Sequence, residues 1–209
     1  MIGGPVCILP IAFTLSSPVA PLRRTTYMSK EAIPFVDLAQ FLARNHEEWL
    51  LDGFFITQDI YPYLQEQPNR ISFYAIGLCQ GGFCRTAIDV HEYDITAGSF
   101  MALKPNLLVN LLEIRDYVGM LLIFDKHFFL KGSADPELLE SLQFFSDGAT
   151  PVARFEDQDT RALLDEFINL RRRSTLKGHP YRREIARNLL VNLLYEADVL
   201  YRKQHSARD

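Results

Sequence analysis

The sequence predicts an α+β fold: a small antiparallel β-barrel or jelly roll, followed by C-terminal α-helices that form a helical hairpin. Roughly five or six short strand-like runs, separated by Gly, Pro and Asn turns, fall between Ile71 and Phe129. Beyond Lys131 the apolar spacing changes from the two-residue period of strands to that of helices. No βαβ alternation and no internal repeat is present, which sets aside parallel doubly wound and solenoid architectures.

With 209 residues, 48% of them apolar, the chain is long enough to bury a core. Its net charge of −4 provides no global attraction to nucleic acid or an anionic membrane. Cys7, Cys79 and Cys84 match neither a disulfide framework nor a zinc-binding spacing, so they are expected to pack as small apolar residues in a reducing cytoplasm. Met1 to Leu22 lack charge, yet Pro5, Pro10 and Pro18 interrupt them and no basic residue precedes Arg23. Residues 1–30 are therefore expected to be a tail rather than an export signal, with translation starting at Met28. No run approaches the ~20 apolar residues of a membrane span.

The barrel is expected over residues 31–130. A short helix at Asp37 to Ala43 gathers Leu38, Phe41 and Leu42 on one face, and Gly53 to Thr57 follows as a strand. Ile71 to Cys79 is apolar on both faces, as a strand buried on two sides must be. Gly81-Gly82 is a turn signal, and with Phe83 to Val90 it predicts a hairpin. Two strands around Gly98 end at Pro105, which cannot donate to a ladder. Leu107 to Ile114 and Val118 to Phe124 complete the set, and closure would hide their edges.

Residues 131–209 are expected to be helical. Asp135-Pro136-Glu137 combines an N-cap, a first-turn proline and an acid, and starts a helix that runs to about Ser146. A second helix near Asp157 to Arg172 places Leu163, Phe167 and Leu170 on one stripe; Gly178 stops the hairpin that follows it and Pro180 opens the last helix. In that last helix Ile185, Leu189, Leu190, Leu193, Leu194, Ala197, Leu200 and Tyr201 cover about half the circumference. Such a face serves a homodimer interface, or wide burial against the preceding helix.

The segments Arg70 to Ile76 and Asp94 to Asn106, with the paired helices ending in Leu189 to Tyr201, resemble the N-terminal sensing domain of AraC-type transcription regulators. The resemblance covers roughly residues 55–205 and rests on strand order, turns and helical tail. It implies a cupin-like barrel that binds a small-molecule effector, helices that dimerise, and DNA binding only through a C-terminal helix-turn-helix portion that this chain, ending at Asp209, is expected to lack. A metal-dependent cupin enzyme is the competing class. Its motif needs two histidines one residue apart and a nearby glutamate, whereas here His91 is followed by Glu92 and Tyr93, and Asn110 stands where the last histidine would be. No catalytic residue, cofactor or metal is therefore expected. Tyr74, Arg85 and Asn110 are the candidates for contacting an effector, with ordinary surface or core roles as the alternative. The basic run Arg171, Arg172, Arg173, Lys177, Arg182, Arg183 and Arg187 is either a phosphate or partner contact, or a solvated loop.

Overall fold

The computed structural model describes residues 33–44, 50–58, 68–131, 135 and 137–206, and Ile33–Asp209 forms one compact unit. The expectations for the N-terminal tail and its start site lie outside the described residues.

Among the described residues, eight strands make a single, strongly bent sheet: β1 (Phe35–Val36), β2 (Phe54–Thr57), β3 (Asn69–Ile71), β4 (Tyr74–Ile88), β5 (His91–Thr96), β6 (Ser99–Leu103), β7 (Leu108–Phe124) and β8 (Val152–Arg154). β4 and β7 run antiparallel along their whole length and fold over together, so the sheet has two leaves. In the first, β8, β6, the start of β4, the end of β7 and β2 lie side by side; in the second, β5, the end of β4, the start of β7, β3 and β1 do. The result is a jelly-roll-like, two-leaved sheet built around one long bent ribbon.

The bend corrects two expectations. Gly81-Gly82 is not a hairpin turn, and the two runs from Leu107 to Phe124 are not separate strands. Register shifts between Cys79 and Phe83 absorb the bend inside β4 and leave the ladder continuous. Gly82 has φ +73, and a Cβ there would sit 2.1 Å from the Asp116 carbonyl oxygen. At Gly119 a Cβ would come within 2.5 Å of the Leu78 carbonyl oxygen. Only glycine lets the two backbones approach this closely at the crease. The true hairpin lies further on, where Asp89 adopts φ 53 and Ile88 faces His91.

Among the described residues, five α-helices accompany the sheet: α1 (Leu38–Arg44), α2 (Lys126–Leu130), α3 (Leu138–Ser141), α4 (Asp157–Ser174) and α5 (Arg182–Ser206). Leu38, Phe41 and Leu42 are buried on α1, and Leu163, Phe167 and Leu170 on α4, as their spacing requires. The helix expected to run to Ser146 is instead the single α3 turn and a 3₁₀ turn at Gln143–Phe145. β8 returns from the helical half to pair with β6, so barrel and helices are not separable at residue 130.

Alternation along the ribbon assigns its two faces. Tyr74, Ile76, Leu78, Met120, Leu122 and Phe124 join one core with Leu163, Phe167, Leu190, Leu193 and Leu194 of the helices. Ala75, Leu103 and Ile123 belong to a second core with Phe41, Ile71 and Phe73. The unbroken burial from Phe73 to Cys79 therefore has a cause: helices cover one face, and the second leaf covers the other.

Replacing Gly82 with Ala forces a Cβ into the Asp116 backbone at a positive φ. It should destabilise the fold by about 1–3 kcal/mol, as overpacked sites do, read from the urea midpoint; a change within about 0.5 kcal/mol, the usual range for a surface substitution, would contradict the crease.

Candidate functional site

Between the leaves lies a pocket of about 110 Å³. The helix-covered leaf contributes Ala75, Gly77, Met101, Leu103, Leu121 and Ile123, the alternate positions to those packed on the helices. The second leaf contributes Cys84, Thr86, Ile95, Val109 and Leu111, while Phe41 of α1 lines it from outside the sheet. The second leaf carries polar residues on its other face. Arg85 meets Asp94 at 2.7 Å and Arg115 meets Glu113 at 2.8 Å, both in water.

The polar groups along the pocket are few. The Thr86 hydroxyl donates to the Asn110 carbonyl at 3.1 Å. Asn69 is buried on β3, and Tyr117 lies where β7 leaves the crease. Cys79 and Cys84 are free thiols packed with Ile95 at the same corner. Burial, with the neighbouring Cys79 thiol, pushes the Cys84 thiol up to about 12. Burial raises the Tyr117 phenol above its ordinary value too, with the two thiols adding to it. Both groups are therefore neutral at pH 7.

The three side chains expected to meet an effector do not line this pocket. Tyr74 points to the opposite face of the ribbon, where it stacks on Phe124 with ring centroids 5.3 Å apart. Arg85 is on the solvent face of its leaf, held by Asp94. Asn110 sits between the pocket residues Val109 and Leu111, so strand alternation turns it away; its side-chain oxygen is buried without a hydrogen-bond partner. The sequence had a signal for the true lining: the odd-numbered residues of Ile71 to Gly77, which a two-faced apolar strand leaves undistinguished until the helices choose a side.

The terminal helix also differs from expectation. Leu190, Leu193, Leu194, Ala197 and Tyr201 are buried within their own chain and so are not open to a partner subunit, because α4, the 3₁₀ turn and the first leaf cover that face. Ile185, Leu189 and Leu200 are half-buried, and Tyr195 and Val199 stand exposed at 51% and 61%. The basic run is not simply solvated. Arg182 donates to the Leu50 carbonyl at 3.3 Å, Arg183 approaches Asp52 at 3.7 Å, and the buried Arg187 donates to the Phe128 carbonyl at 2.8 Å while lying over the Phe128 ring.

His91 is the exposed first residue of β5. Among the described residues, no group of three or more His, Cys, Asp or Glu side chains is brought together. Among them, too, no helix is long and apolar enough to cross a membrane.

No family model matches the chain, and no curated protein does. Its structural neighbours are AraC-like regulators and cupin proteins. The AraC-like transcriptional activator CuxR aligns at 16% identity and a TM-score of 0.36, over 60% of this chain and 43% of that one. An apo form of ToxT from Vibrio cholerae aligns at 16% identity and a TM-score of 0.39, over 72% of this chain and 57% of that one. A cupin protein from Bacteroides fragilis aligns at 17% identity and a TM-score of 0.24, over 39% of this chain and 57% of its own. The chain thus spans about half the length of these neighbours.

A thiol held up to about 12 keeps its proton in the folded chain, whereas the unfolded chain releases it near the ordinary 9.0. The stability it contributes is complete below pH 9 and is lost as pH rises from 9 toward 12. Cys84→Ala should therefore show a shallower fall in melting temperature across that window than the unaltered chain. Parallel curves would place Cys84 in a wetter site than the pocket corner.

Proposed function

We propose that the chain is the effector-sensing and dimerisation module of an AraC-type transcription regulator, acting in the cytoplasm and without catalytic activity of its own. One observation carries the reading: β4 and β7 line the pocket with one set of side chains and seat α4 and α5 with the alternate set. An effector between the leaves displaces Ala75, Gly77, Leu121 or Ile123, and their neighbours Ile76 and Leu122 rest on the helical core. Occupancy then biases how α5 is held, since a close-packed interior passes displacement on rather than absorbing it. Sequence-specific DNA contact is assigned to a portion other than this barrel and hairpin, whose α5 presents its inner face to its own domain.

The homodimer uses the outer side of α5. Asn188, Asn192, Tyr195 and Val199 follow one another at spacings of four, three and four residues, the repeat of a helix that meets a second helix. Tyr195 and Val199 are its exposed apolar members, with Ile185 beside them half-buried. Sedimentation equilibrium should give twice the chain mass at micromolar concentration. Val199→Glu, at an exposed position, should weaken association at least tenfold with an unchanged melting temperature. A single-chain mass at hundreds of micromolar would contradict the dimer.

A further inference from the structure

We propose that the pocket takes a neutral, predominantly apolar molecule of about one ring's size that carries a hydrogen-bond donor. This rests on the effector-pocket reading above and names the ligand class. Among the described residues that line the pocket there is no Asp, Glu, Lys, Arg or His. A carboxylate, phosphate or ammonium group entering it would lose its hydration with no opposite charge among these residues to meet. A sugar would fare as badly, since each buried hydroxyl requires a partner and the walls are mostly aliphatic and aromatic. The two titratable groups at the inner corner, Cys84 and Tyr117, are held protonated and supply no charge either.

Size adds a second constraint. The interior of about 110 Å³ is somewhat smaller than the cavity of ~150 Å³ in which an engineered apolar site binds benzene. The pocket is open on one side, so a ligand of about one ring fits with part of it standing in the mouth, and a nucleotide or a long acyl chain cannot lie fully inside. Orientation comes from Thr86. Its proton is committed to the Asn110 carbonyl, so the hydroxyl oxygen offers the pocket its lone pairs and selects a ligand that donates.

The test measures binding to the purified full chain by calorimetry and melting temperature at pH 7, with phenol and toluene as neutral probes and benzoate and glucose as charged and polyhydroxylated ones. Phenol and toluene are expected to bind, compete with each other and raise the melting temperature; benzoate and glucose are expected to do neither. Ala75→Leu and Val109→Phe fill the pocket from opposite leaves, and each should abolish binding of both neutral probes; two positions guard against one variant failing to fold. Thr86→Val should weaken phenol by about threefold to tenfold, the range of one neutral hydrogen bond, and leave toluene unchanged. Tighter binding of benzoate or glucose than of toluene would overturn the ligand class and leave the effector reading standing. No binding by any of the four probes would overturn both.

Discussion

One constraint shapes the molecule: two long strands must each serve two apolar interiors at once. Among the described strands, β4 and β7 cross from one leaf to the other, and where helices cover them, at Tyr74–Leu78 and Met120–Phe124, their side chains alternate between the helical core and the space between the leaves. A slip of one residue would exchange the two sets and place Ile76 and Leu122 in the pocket. Register is held by the crease, where Gly82 and Gly119 let the backbones approach, and by partners on both flanks, since Phe124 is paired with Phe54 on one side and Tyr74 on the other.

The same economy explains how the helical hairpin is fastened. α5 is tied to the sheet end of the molecule by Arg182 and Arg183, which reach the segment at Leu50 and Asp52, and by Arg187, which reaches α2. Burial and the nearby Arg183 lower the affinity of the Arg187 guanidinium for its proton, while a carbonyl and an aromatic face replace part of its lost hydration. At the other end Asp198 accepts from the Gln143 backbone and from Arg202, and the Tyr201 hydroxyl donates to the Thr150 carbonyl. Between these anchors lie Leu190, Leu193, Leu194 and Ala197, fully out of water. α5 is thus an integral wall of the domain, and only its outer strip is available to another molecule.

Much of this organisation was legible from residue order. The change of period near Lys131, the stripe Leu163, Phe167, Leu170 and the two-faced apolar run through Phe73 to Cys79 each reflect burial that a local pattern records directly. The crease was not legible, because a Gly-Gly pair looks alike whether it reverses a chain or bends a strand; the partner backbone at Asp116 decides, and it lies more than thirty residues away. The pocket lining was missed for a related reason. Polarity drew attention to Tyr74, Arg85 and Asn110, yet the cavity is lined by the small and aliphatic residues of the opposite parity. The broad apolar arc of α5 was ambiguous between its own domain and a second subunit, and the fold claims most of that arc for itself.

The central claim is that pocket leaf and helical hairpin form one cooperative body through β4 and β7. Native-state hydrogen exchange tests it most directly, by comparing the opening free energies of amides in Tyr74–Leu78, Met120–Phe124 and Leu190–Tyr201. The account predicts one common value, equal to that of global unfolding, for all three segments. Exchange of Leu190–Tyr201 at a markedly lower free energy, with the two strands still protected, would show a hairpin that opens on its own and would contradict it.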